Sequence, residues 1–167
     1  MRSETIFKHR TFERGRYDDE YTTTITIASD FSNPAVWPYT LKQVETESDI
    51  DPDSDDLFAM KETSEETRSV RLPKDVFEKI KASIESNTAL KGCEETVENA
   101  VMDGVSDSFF FSCDSYQKSV SGCEIFHFAE NEESKPAHLR STNYTVSKAV
   151  DTIIAILKDA GIALYER

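Results

Sequence analysis

Chemistry near neutral pH would fall first to three histidines, His9, His127 and His138, and three cysteines, Cys93, Cys113 and Cys123, the side chains suited to proton transfer and nucleophilic attack. Cys123 and His127 are four residues apart. On the strand expected across them they share one face but stand about 13 Å apart at roughly 3.3 Å per residue, too far for a thiol and its base. No spacing ties His138 to Cys113 or Cys123. The cysteines are odd in number and form no CxxC pair, which reads as buried or half-buried free thiols in a reducing compartment. Glycines 15, 92, 104, 122 and 161 are isolated from one another, so no glycine-rich loop is expected to cradle a phosphate. Gly104-Val-Ser-Asp-Ser does not match the GxSxG turn of serine hydrolases, and no HExxH zinc helix occurs. No catalytic residue and no cofactor is assigned.

Carboxylates are abundant instead. With 32 acidic and 19 basic residues the net charge is −13, and the excess is uneven. Residues 1–16 have a balance of +3, residues 17–66 of −12 and residues 67–167 of −4. The densest run, Glu45 to Asp56, holds seven carboxylates with no base between them. It contains Pro52 and has no apolar face, so an exposed, extended or mobile loop is expected over about 45–65. Asp49, Asp51, Asp53, Asp55 and Asp56 are its candidate partner-binding residues, because clustered like charge speeds encounter with an oppositely charged face. Asp49, Asp51, Asp53 and Asp55 also alternate as the first ligands of an EF-hand loop do. Ser54 then stands where that turn needs glycine and Met60 where the bidentate glutamate belongs, so no metal site is expected.

The bases Lys8, Arg10, Arg14 and Arg16, with His9, gather in a first hairpin and form the one candidate surface for nucleic acid. The charge of the whole chain has the wrong sign for attracting phosphate, so nucleic acid is disfavoured as a partner. Pairing of these bases with the chain's own acids, or with the acidic loop of a second copy, is the preferred reading and leaves a homo-oligomer open.

These groups need a scaffold. Residues 4–12 and 20–28 alternate as two strands, with Tyr21, Thr23, Ile25 and Ile27 on one face, and the polar turn between them runs through Arg14 to Asp18. Prolines 34 and 38 mark a connection, and Tyr39 to Thr46 continues as a third strand. Glu66 to Leu72 has strand character, and Pro73 opens a helix to about Asn87 with Val76, Ile80 and Ile84 in a stripe. Glu95 to Met102 reads as a weak strand, Asp103-Gly104 as a turn, and Lys118 to Phe128 as a hairpin alternating around Gly122. Residues 129–143 form a polar loop. Val146, Ala149, Val150, Ile153 and Leu157 define the last helix, begun at Thr142 or Asn143 and ended at Gly161. A short strand, Ala163 to Tyr165, is expected to follow.

The expected architecture is α+β over residues 1–167 as a single domain: an antiparallel or mixed sheet of about six to seven strands with two helices packed on one face. No segment approaches the roughly 20 apolar residues of a membrane helix, and the N-terminus lacks a secretory pattern, so a cytoplasmic location is expected. The expected function is that of an acidic soluble binding or inhibitor protein, in the manner of immunity proteins or charge mimics, engaging a basic protein partner. Two alternatives stand beside it: an enzyme with a site in the Asp103–His138 region, and a self-associating structural protein.

Overall fold

The computed structural model describes residues 3–15, 19–99 and 104–165. Strands β1 (Ser3–Arg14), β2 (Glu20–Asp30), β3 (Tyr39–Ile50) and β4 (Met60–Arg71) run as an antiparallel meander. Helices α1 (Lys74–Glu85) and α2 (Thr88–Gly92) follow, then β5 (Thr96–Val97), β6 (Ser106–Ser112) and β7 (Gln117–Cys123). The chain closes with α3 (Ile125–Glu130), a 3-10 turn at Ala137–Leu139 and α4 (Thr142–Asp159). Strand order is β4-β3-β2-β1-β6-β7-β5, antiparallel throughout except where β5 joins β7. The expected α+β architecture is thus the observed one: a mixed, mostly antiparallel sheet of seven strands with α1 and α4 against it.

Period-two alternation explains which face the helices cover. Phe7, Ile25, Ile27, Leu41, Phe109 and Phe111 lie opposite one another in register and are buried. They meet Phe77 and Ile80 of α1 and Val150, Ile153 and Leu157 of α4 in one continuous core. Each such side chain contributes about 1.5–3 kcal/mol by leaving water. A bulge between Thr5 and Phe7 lets Ile6 and Phe7 both be buried. Between β2 and β3, the Trp37 indole N–H donates to the Leu72 carbonyl at 2.8 Å and Phe31 packs edge-on to Tyr39. No helix among the described residues is long and apolar enough to cross a membrane.

Five expectations change. The acidic segment is not a loop throughout: β3 continues to Ile50 and β4 begins at Met60, so only residues 51–59 connect them. Cross-strand pairing of the whole hairpin, down to Asp49 opposite Lys61 and Ile50 opposite Met60, holds these polar strands extended. The alternation after Gly122 does not continue as a strand. Glu124 adopts a left-handed backbone (φ 52) that turns the chain into α3, held by its own N–H on the Val105 carbonyl at 2.8 Å and by the Val105 N–H on its carboxylate at 2.9 Å. Within the expected 95–102 strand only Thr96 and Val97 pair, while Ala100 to Asp103 lie outside the described residues, as do Arg16, Tyr17 and Asp18 of the first turn. Ala163 to Tyr165 forms no strand. Gly161, at φ 76, ends α4, with Ile162 N–H on the Leu157 carbonyl and Gly161 N–H on the Lys158 carbonyl, and the tail then inserts Tyr165 into the core. The polar segment 129–143 is partly helical, and α4 starts at Thr142 as expected; Asn143 is buried and exchanges amide hydrogen bonds with Asn99.

One polar knot joins three elements. Lys81 of α1 reaches Asp114 of the β6–β7 turn at 2.9 Å and Glu4 of β1 at 3.0 Å, and the bond to Asp114, then that to Glu4, pushes its ammonium up to about 12. Nearby, Tyr116 donates to the Ile84 carbonyl at 2.6 Å, and burial pushes its phenol up to about 12. Both groups hold their protons more tightly folded than unfolded. Their stabilisation is therefore complete below pH 10, where neither titrates in the unfolded chain, and is lost as pH rises through 12. Urea midpoints measured across this window should fall with pH, and Lys81→Met and Tyr116→Phe should each flatten the fall. An unchanged slope in both variants would remove these residues as its cause.

Candidate functional site

Two arrangements stand out. The first is the β3–β4 hairpin. No residue of β3 beyond Leu41, and none of β4, is fully buried. From Leu41 to Ile50 the strands run about 30 Å at ~3.3 Å per residue; β3 is paired with β2 as far as Ser48, and the hairpin projects beyond β2 as a short arm from Asp49 onward. Residues 43–68 contain ten acids and two bases, and Arg68 is engaged by Glu66 at 2.9 Å. At the root of the arm Tyr21 donates to Asp19, and that bond first, with the charges of Asp19 and Glu47 adding to it, pushes the phenol up to about 12. β4 is the edge of the sheet, and its dense charge discourages pairing with another strand.

The tip is ordered by its own acids. Asp51 N–H donates to the Ala59 carbonyl at 2.8 Å, closing the connection. The Asp51 carboxylate accepts the Asp53 N–H, Ser54 Oγ accepts the Asp56 N–H, and the Asp56 carboxylate accepts the Phe58 N–H. Asp49 accepts the Ile50 N–H at 2.8 Å. Short polar side chains that satisfy backbone donors in this way define the turn. Asp49, Asp53, Asp55 and Asp56 are exposed and Asp51 is half-buried. The structure thus gathers the five predicted residues at one tip. Among the described residues no cluster of His, Cys, Asp or Glu is arranged to hold a metal ion.

Sequence reasoning passed over the two residues that complete this tip. Leu57 is 81% exposed and Phe58 86%, beside Ile50 and Met60, with which they rim a hollow of about 200 Å³. The signal was present in the sequence: an adjacent Leu-Phe pair directly after Asp55-Asp56, outside any helical or strand periodicity.

The second arrangement is buried. His9 points to the helix side, not outward with Lys8 and Arg10, because it shares its face with Phe7. This corrects its placement among the hairpin's bases. Its Nε2 lies 2.8 Å from Asp107 Oδ1 and its Nδ1 2.7 Å from the Tyr165 hydroxyl, so the ring is hydrogen-bonded on both sides. The ring stacks on Phe109 at 4.1 Å and meets Phe126 edge-on. His9, Asp107 and Tyr165 are each 4–5% exposed and line, with Thr11, Val105, Glu124 and Phe126, a hollow of about 260 Å³. The other sequence candidates are dispersed: His127 and His138 are exposed, Cys113 is buried with its thiol on the Tyr116 carbonyl, and Cys123 lies 3.5 Å from the Ser106 hydroxyl.

No protein-family model matches this chain, and no curated protein matches it. Fold and surface define its class: an α+β protein with helices on one face of a seven-stranded sheet and an acidic hairpin extending from it.

Proposed function

We propose that this is a binding protein that presents the β3–β4 arm to a basic protein partner. The observation that carries the reading is the exposure of Leu57 and Phe58 at the end of the acidic arm. Side chains of this size bared to water have the character of interface anchors, and the surrounding carboxylates select a basic rim around the recess that receives them. The ordered turn adds to this, since a preformed tip loses little freedom on docking. An inhibitor or charge-mimic role is the form of binding that best suits an arm dominated by carboxylates.

The test is photo-crosslinking in the source cell with a benzophenone side chain at position 58, and at Lys158, exposed on α4, as control. A single basic protein joined from position 58 and not from 158, with loss of the adduct in high salt, is the expected result. An acidic or neutral adduct, equal labelling from both sites, or no adduct would overturn the reading.

The Asp107–His9–Tyr165 chain supports a second reading, an enzyme. A carboxylate that fixes an imidazole, which in turn accepts from a hydroxyl, is the arrangement that activates a nucleophile, with a phenol here in the place of an alcohol. An arylsulfonyl fluoride should then label Tyr165 in the native protein and fail to do so after His9→Gln. Absence of labelling would reduce the chain to packing.

A further inference from the structure

The sheet face away from the helices carries a different chemistry. The register sets Arg10 beside Ser108, Ser108 beside Ser121 and Ser121 beside Thr96, and in the adjacent row Lys8 beside Phe110 and Phe110 beside Ser119. On the other side of β1 the same rows continue through Thr24 and Thr26 to Val44 and Lys42. Among the described residues these two rows hold cations and hydroxyls without a carboxylate, in a chain of net charge −13. Ion pairs form at Arg14, Arg68, Lys79, Lys81, Lys135 and Lys148, and among the described residues none forms at Lys8, Arg10 or Lys42. Lys8 and Arg10 instead edge a hollow of about 420 Å³, floored by Phe110 and three serines and closed on the β5 side by Glu95 and Thr96.

We propose that this hollow binds a small phosphorylated ligand with a planar ring, of the nucleoside monophosphate class. Lys8 and Arg10 take the phosphate by charge-assisted hydrogen bonds. Phe110, half-buried in the floor, offers a stacking surface for the ring. The serine hydroxyls and the Glu95 carboxylate face the ring's far edge, where Glu95 accepts from an exocyclic N–H. The size suits a ligand of this kind, since small-molecule pockets run from about 300 Å³ upward. Charge decides between a mononucleotide and a polymer. Repulsion from the acidic chain grows with every phosphate added, and a single phosphate meets two cations before it feels that field. The site lies on the opposite face from the helices and does not use the arm, so it stands or falls independently of the proposed protein partner.

The experiment is an NMR titration of the full, uniformly labelled chain with the four ribonucleoside monophosphates, with adenosine, and with a thymidine decamer. At least one mononucleotide should shift the amides of Lys8, Arg10, Ser108, Phe110, Ser119 and Ser121 at millimolar concentration or below. Adenosine should bind about tenfold more weakly than its monophosphate, and Lys8→Gln with Arg10→Gln should lose about tenfold. Phe110→Ser should lose about fivefold, while Phe58→Ser should change nothing. Lys8, Arg10 and Phe58 are exposed and Phe110 is half-buried, and a thermal melt of each variant checks that the fold is intact. Four outcomes would overturn the proposal: no shifts at these amides with any mononucleotide, equal binding of nucleoside and nucleotide, tighter binding of the decamer, or self-association that disappears in the Lys8/Arg10 variant.

Discussion

Replacing Leu57 and Phe58 together by serine should weaken the complex with the crosslinked partner by about 2–4 kcal/mol, while leaving the urea midpoint of the free protein unchanged. The two side chains are 81% and 86% exposed, so the fold has almost nothing to lose by their removal. Only a bound state that buries them can respond. Their loss should appear as faster dissociation, because anchors in a desolvated recess act after encounter. Replacing Asp49, Asp51, Asp53, Asp55 and Asp56 by asparagine should do the opposite, slowing association by about tenfold or more at low salt with a smaller effect on dissociation. Asparagine preserves the acceptors that Asp51 and Asp56 offer to the turn, so the geometry of the tip survives the loss of charge. Surface plasmon resonance over a salt series separates the two effects. If the double serine variant dissociates at the native rate, the tip is not the anchor; if the asparagine variant associates at the native rate, the acidic arm acts only as a solubilising surface.

The largest effect on stability belongs to His9. His9→Leu should cost about 3–5 kcal/mol, because it leaves the Asp107 carboxylate buried at 4% exposure with its imidazole partner gone. For a chain of this length that is a fall of about 10 °C in Tm. The asymmetry of the effect identifies its cause. His9→Leu combined with Asp107→Leu should recover much of the loss, since removing both members of a buried pair replaces an unsatisfied charge by apolar contact with Phe109 and Phe126. Tyr165→Phe keeps the ring against Phe7 and removes the hydroxyl's bond to His9, a loss of about 1 kcal/mol for that bond. If the double leucine variant is as unstable as the sum of its parts, the chain contributes through shape and not through compensation of charge.

These two predictions draw on different sources. The acidic run from Glu45 to Asp56 was legible in the chain before any coordinates, as was the strand entering it from Tyr39, but the run itself was expected as a loop and its first half is strand. What the sequence left open was where the strand stops, because a polar two-sided strand has no apolar face to mark its length, and pairing between β3 and β4 carries it to Ile50. The exposure of Leu57 and Phe58 was not evident for a related reason. An apolar pair in a sequence is ordinarily core, and only the fold leaves it bare.

Local pattern alone determined the strands of the β1–β2 hairpin, α1, α4 and its glycine stop, since each is encoded by a period or a terminator within a short window. It also determined the acidity and its concentration in the middle third of the chain, which no fold can alter. Tertiary structure decided the rest. His9, Asp107 and Tyr165 meet across 98 and 156 residues of chain, and no local rule pairs residues so far apart. The face that sets Lys8 and Arg10 beside Phe110 exists only once β6 pairs with β1 and orders the register. Sequence period fixes which residues share a face of one strand; the pairing of distant strands fixes which faces become a surface.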